Sequence, residues 1–170
     1  MTAMFNRRAI LKLSGAALTL GAAPFRAIAA TAEGAAQKAL EKSDTIYITP
    51  LKKDGAESSC HAEVWFTYHG SEIYVVTASN AWRARAVSSG LNQARMWVGE
   101  FGEWKDSKEA YRKAPELTAT GALVTDAAVQ SQVLDSFGKK YYVQWVGWGP
   151  KFRNGLRDGS RVMLRYTPTA

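Results

Sequence analysis

The segment Cys60 to Ala78 constrains the fold most. Cys60-His-Ala-Glu-Val-Trp-Phe-Thr-Tyr68 alternates, with Cys60, Ala62, Val64 and Phe66 on one face. His69-Gly70-Ser71 turns the chain, and Glu72-Ile-Tyr-Val-Val-Thr-Ala78 follows as a β-branched strand. Two strands joined so tightly pair as an antiparallel hairpin. A doubly wound parallel sheet, which needs a long crossover between neighbouring strands, does not fit.

The rest of the chain extends that pattern. Thr45 to Thr49 is β-branched and aromatic and is closed by Pro50. Ser79-Asn80 opens a short helix, Ala81 to Ser89, with Gly90 as its stop. Gln93 to Gly99 and Glu116 to Val124 are strands on either side of a charged, aromatic loop. Thr125-Asp126 caps a second helix, with Val129, Val133, Leu134 and Phe137 on one stripe and Gly138 as its end. Lys139 to Asn154 reads as aromatic and irregular, and Gly155 to Gly159 as a turn. The last strand is Arg161 to Thr167, stopped by Pro168. The expected class is α+β, mainly β: a small antiparallel barrel of about six strands with two helices. That barrel domain spans residues 44–170.

The start has a different character. Arg7-Arg8 precedes a short apolar run, Leu13 to Ala23, and Ala27-Ile28-Ala29 is a small-residue cleavage signal. The apolar run falls short of the roughly 20 residues a bilayer requires. Residues 1–29 therefore read as an export leader. Asn6-Arg-Arg-Ala-Ile-Leu-Lys12 resembles the twin-arginine consensus, with Asn6 in place of the usual Ser or Thr. That resemblance implies the twin-arginine export machinery as a partner, a bacterial periplasmic or secreted location, and no stable membrane span after cleavage. Residues 30–43 are Ala-rich, a linker or a short helix.

Charge separates the two parts. Of 22 basic residues, Arg7, Arg8, Lys12 and Arg26 lie in the leader; the other 18 face 15 acidic ones, a net +3. The overall +7 is thus largely the leader's, and without a clustered basic face it is no sign of nucleic-acid binding. With one cysteine, Cys60, no intramolecular disulfide can form. Cys60 reads as a buried structural thiol, and His61 and His69 as surface histidines, with no metal site between them. GxSxG, P-loop, GxGxxG and CxxC motifs are all absent. No catalytic residue is identified. Six tryptophans and seven tyrosines suit a packed core or a pocket for a planar ligand.

The segment with most chemical content is Val76-Thr77-Ala78-Ser79-Asn80-Ala81-Trp82-Arg83-Ala84-Arg85. A strand ends in small hydroxyl residues, and a helix begins with two arginines. Helix N-termini carry free N–H groups, and arginine is a bidentate phosphate donor. The same residues also suit a capped helix with solvated arginines. This segment, with Gly90-Leu and Ala94-Arg-Met-Trp-Val-Gly99, resembles the FMN-binding split β-barrel superfamily. That superfamily includes pyridoxamine-phosphate-oxidase-like and deazaflavin-dependent nitroreductase-like proteins. Phe137-Gly-Lys-Lys140-Tyr141 and Leu164 to Pro168 resemble the closing helix and last strand of some of its members.

The resemblance implies FMN, or else the deazaflavin F420, bound at the seam of a homodimer. It implies hydride exchange with a small-molecule substrate or redox partner. It assigns Thr77 and Ser79 as hydroxyl donors to phosphate, Arg83 and Arg85 as its cationic partners, Trp82 near the ring or seam, and Lys140 as a further cofactor contact. Lys53-Asp-Gly-Ala-Glu57 stands where the nitroreductases carry Gly-Arg-x-Ser-Gly, and the Arg-Asn-x-x-x-Asn-Pro stretch of the oxidase-like proteins is missing. A non-enzymatic module holding haem, another planar ligand or none is the alternative, and a small hydrolase using Cys60 is a third reading.

Overall fold

The computed structural model describes residues 34–169; residues 1–29, expected as a leader, lie outside them. Residues 34–42 are helical (α1). Seven strands follow in the order β1 Thr45–Pro50, β2 Ala62–Trp65, β3 Thr67–His69, β4 Glu72–Ala78, β5 Gln93–Val98, β6 Glu116–Val124 and β7 Arg161–Thr169. Helix α2 (Trp82–Ser88) sits between β4 and β5; α3 (Ala127–Lys140) and α4 (Tyr142–Asp158) sit between β6 and β7. Every pairing is antiparallel, and the strand order is β2-β1-β5-β6-β7-β4-β3.

The two ends of that order, β2 and β3, are neighbours in sequence, separated only by Phe66. The sheet therefore curls into a nearly closed barrel, with residues 62–69 acting as one crooked strand. Counted that way the barrel has the six strands expected. It is a split barrel, because β2 pairs with β1 whereas β3 pairs with β4. Beyond Tyr74, β4 has no strand partner on its β2 side.

Strand alternation builds the core. Ile46 and Ile48, Ile73 and Val75, and Leu164 and Tyr166 point inward and pack with Phe66, Met96 and Ala119. Helix α1 closes one side of this core through Leu40, so the segment expected as linker or short helix is a helix docked on the barrel. The opposite parities, Tyr74, Val76 and Met163, point outward and meet Val133, Leu134, Phe137, Tyr141 and Phe152 of α3 and α4 in a second cluster. A third cluster, Tyr47, Trp97 and Tyr111, lies under the loop that follows β5. Tyr47 stacks on Tyr111 with ring centroids 4.6 Å apart, and its hydroxyl donates to the Gly102 carbonyl at 2.6 Å.

The break at Phe66 is held by one side chain. The Tyr141 hydroxyl accepts from the Phe66 N–H at 3.0 Å. Its own proton lies within reach of the Phe66 carbonyl at 2.8 Å and the Asp44 carbonyl at 2.7 Å. Burial holds this hydroxyl above the ordinary tyrosine value, against the pull of the Phe66 backbone. A backbone N–H left unpaired where the ladder changes partners thus finds its acceptor in the residue that joins α3 to α4.

Several local expectations are corrected. Ser79 and Asn80 do not cap α2; the N-cap is Ala81, with no side-chain bond. The Ser79 N–H and hydroxyl both donate to the Ser160 carbonyl, at 2.9 and 3.2 Å, tying β4 to the start of β7. Asp126 does cap α3, accepting from the Ala128 and Val129 N–H groups. Gly138 does not end α3. It leaves room for Trp145, whose ring a Cβ there would meet at 2.9 Å. Lys139 to Asn154 is not irregular, and Gly155 to Gly159 is not a free turn. Both belong largely to α4, which runs to Asp158 and ends at Gly159 with φ 77°. Pro168 does not stop β7. Beyond Tyr166 that strand pairs with β6 alone, an edge position where proline is tolerated.

Replacing Tyr141 by Phe leaves the Phe66 N–H without its acceptor. The expected loss is about 2 kcal/mol, or roughly 5–10 °C in melting temperature. Thermal unfolding followed by circular dichroism measures it, and an unchanged midpoint would show that another group holds the break.

Candidate functional site

The residues expected to cradle phosphate gather at the end of β4. Thr77 continues the inward parity of Ile73 and Val75 and is buried. From the first turn of α2, Arg83 reaches back and its guanidinium donates to the Thr77 Oγ1 at 2.6 Å. The Thr77 hydroxyl accepts this bond and keeps its own proton to donate. The Arg83 Nε is buried without a hydrogen-bond partner, and among the described residues no carboxylate pairs with this guanidinium.

The other expected site residues disperse. Ser79 is committed to Ser160. Arg85 is exposed and lies 5.4 Å from the Trp82 ring centroid, so these two pair with each other on the outer side of α2. Lys140 is in a separate groove with Leu40, Asp44, Thr67 and Tyr68, which contains none of the other expected residues. Its Nζ donates to the Ser43 carbonyl at 2.6 Å and sits 3.6 Å from the centre of the Phe66 ring. Burial lowers its pKa to about 8, opposed by the Asp44 and Glu100 carboxylates. Lys140 therefore belongs to the packing around the strand break.

A contrast shows why Arg83 stands out. Arg95 and Arg112 are consumed by structure. Glu57 accepts from Arg112 at 2.8 and 3.1 Å and from Arg95 at 3.1 Å, and Arg112 lies over the Trp97 ring at 4.8 Å. The hydrogen bonds from Arg112 hold the Glu57 carboxyl below the usual carboxylate range. This network fastens the 99–115 loop to β5. Arg161 resembles Arg83 in having no ion pair among the described residues. Its guanidinium is 5.2 Å from the centroid of Phe152 and 5.9 Å from that of Trp148.

Arg161 pairs in register with Ala78, next to Thr77, and lines a groove of about 510 Å³ along the split. Glu63, Val64 and Trp65 of β2 with Thr45 of β1 line one side, Val76 of β4 the floor, and Trp148 and Phe152 of α4 the other side. Trp65 stacks on Tyr141 at 4.6 Å and meets Trp148 edge-on at 6.0 Å. Sequence reasoning missed Trp65, Trp148, Phe152 and Arg161. A signal was present: Tyr141, Trp145, Trp148 and Phe152 are spaced by four, three and four residues, one helical stripe. Gly147, Gly149 and Pro150 disguised it.

Cys60 lies before β2 and is half-buried, so it is neither a strand residue nor fully enclosed. His61 is not a free surface histidine: its Nδ1 is 2.6 Å from the Thr49 Oγ1 and its ring packs beside Trp104 at 5.6 Å. His69 is exposed. Among the described residues no three His, Cys, Asp or Glu side chains cluster as metal ligands.

No protein-family model matches this chain, and no curated protein does either. Its fold is similar to that of HutZ, the haem storage protein of Vibrio cholerae, with TM-score 0.55 and 16% identity over 79% of this chain and 87% of that one. A putative 5-nitroimidazole antibiotic resistance protein of Bacteroides thetaiotaomicron gives TM-score 0.55 at 10% identity, over 79% and 78%. A putative pyridoxamine 5'-phosphate oxidase of Listeria innocua gives 0.51 at 13%, over 79% and 90%. The likeness at these identities is one of fold: an α+β split barrel.

Because the folded Lys140 titrates near 8, below its unfolded value, the unfolded chain binds more protons between about pH 8 and 10. Stability should rise with pH across that window and lose this rise in Lys140→Met. Urea unfolding at pH 7.5, 8.5 and 9.5 checks it, and parallel profiles for the two proteins would exclude Lys140 as the source.

Proposed function

We propose that this chain is an exported flavin-binding split barrel that handles hydride exchange with a small substrate. One observation carries the reading. An aromatic-walled groove lined by Arg161 runs along the split, and Arg83, bonded to Thr77 on the inward face of the same β4 end, is a second arginine without a carboxylate partner among the described residues. A flavin mononucleotide combines a planar apolar ring with a phosphate. The ring fits the Trp65–Trp148 walls beside Arg161, and a phosphate carried past the end of β4 fits Arg83 with the free proton of Thr77. The deazaflavin F420 also combines a planar ring with phosphate and is the alternative cofactor.

When bound, a flavin supplies hydride transfer, so the barrel needs no acid–base pair of its own. The chain's residues would orient the ring between β2 and α4 and keep water from its buried face. Arg83 would hold the anionic end, with Thr77 fixing the guanidinium. Of the earlier candidates, Thr77 and Arg83 stay in this proposal, at the end of β4 and outside the groove lining. Ser79, Trp82, Arg85 and Lys140 do not, since each is occupied elsewhere.

The haem storage protein among the similar folds raises haem as a ligand. The groove favours flavin instead, because among the described residues no His, Cys or Met lines it to serve as an axial ligand. A homodimer, with the ring near its seam, belongs to the same proposal.

Two measurements test it. Titration of the purified protein should show FMN binding by quenching of flavin fluorescence. Arg83→Ala should weaken FMN roughly 10- to 100-fold, the worth of a charge-assisted bond, while riboflavin affinity stays unchanged. If FMN and riboflavin respond alike, Arg83 does not hold the phosphate; if neither binds, the oxidoreductase reading fails. For export, changing Arg7-Arg8 to Lys-Lys should remove the protein from the periplasmic fraction, and continued export would point to general secretion.

A further inference from the structure

Helix α4 has two apolar faces, and the barrel uses one. Trp145, Phe152 and Leu156 pack inward in the second cluster. On the opposite side Tyr142, Val143 and Val146 are 74, 62 and 82% exposed, in a chain whose other large apolar side chains are mostly buried. Pro150 continues this outward stripe one turn later and is also exposed. Spacings of three and four residues put Val143, Val146 and Pro150 on one line, so they form a single ridge.

The rim of the ridge is cationic. Lys139 at the end of α3, and Lys151, Arg153 and Arg157 on α4, are all exposed. From Ser136 to Arg157 the chain carries no Asp or Glu. The nearest acids are Asp135, one turn before Lys139, and Asp158, at the last residue of the helix. None of these four basic residues forms an ion pair among the described residues.

We propose that this face of α4 docks on an anionic phospholipid surface, with Tyr142, Val143 and Val146 inserted at the headgroup level and the four cations against lipid phosphates. The pattern is that of an interfacial amphipathic helix, apolar on the contacting ridge and basic around it. No helix among the described residues is long and apolar enough to cross a membrane, which leaves a surface-lying mode for α4. A second copy of this chain fits the face less well, because two-fold contact would set the same cations against one another. The inward face anchors α4 to the barrel, so the ridge is presented without any rearrangement. This docking stands apart from the cofactor reading, since Tyr142, Val143 and Val146 do not line the groove.

The test is co-sedimentation of the full chain with vesicles of phosphatidylcholine alone or with 30% phosphatidylglycerol. The full chain keeps residues 1–33 in every variant, so differences report on α4. Partitioning should be at least about tenfold stronger on the anionic vesicles and should fall steeply between low and high salt. Val143→Asp with Val146→Asp should reduce it at least about tenfold, and Arg153→Glu with Arg157→Glu should do the same. All four positions are exposed, and circular dichroism checks that the fold is kept. Equal binding to both vesicles, or variants that bind like the parent, would overturn the proposal. So would a parent dimer that Val143→Asp with Val146→Asp dissociates, which would give the face to a second copy.

Discussion

The Tyr141 hydroxyl is the hinge on which this barrel turns. A six-stranded sheet closes here only because residues 62–69 change partners midway, pairing first with β1 and then with β4. The change occurs at Phe66, where neither ladder supplies a hydrogen bond. One phenol, delivered from the junction of α3 and α4, meets both backbone groups of Phe66 and the Asp44 carbonyl. Tyr141 also stacks on Trp65 and Phe137, so the same residue joins the strand break to the helical layer.

From that break follows the groove. Since β2 leaves the β4 side of the sheet, the far half of β4 is paired with β7 alone, and α4 lies across the gap on its other side. The wall it offers is aromatic because the stripe that seals the second core continues past the barrel edge to Trp148. The glycines serve the same packing: a Cβ at Gly138 or Gly149 would meet the Trp145 ring at 2.9 Å. Arg161 at the groove and Arg83 on the inward face of β4 form no ion pair among the described residues, whereas Arg95 and Arg112 are neutralised by Glu57. Arg161 sets positive charge beside the aromatic slot, and the Glu63 carboxylate lines it as well.

Much of this was legible in the chain. The hairpin from Thr67 to Ala78, the helix after it and the capping role of Asp126 follow from local patterns, whereas the first half of the expected hairpin strand, Ala62 to Trp65, is captured by β1 instead of β4. The link between Thr77 and Arg83 was also within reach, because a strand end and the first helical turn after it are close in any fold. Ser79 misled because its hydroxyl suits a cap, yet a carbonyl 81 residues away captured it. Lys140 misled because its neighbours in sequence resemble a cofactor turn, whereas its neighbours in space are Phe66 and Ser43.

The sequence by itself determined the antiparallel barrel, since alternation and tight turns are local and admit few closures. It also determined that Arg83 would face the end of β4. Tertiary structure decided which hydroxyls and cations stayed available, because their partners come from distant segments. It decided as well that residues 142–158 are helical. Gly147, Gly149 and Pro150 argue against a helix one residue at a time, and only burial of the Trp145, Phe152 and Leu156 face against the barrel outweighs them.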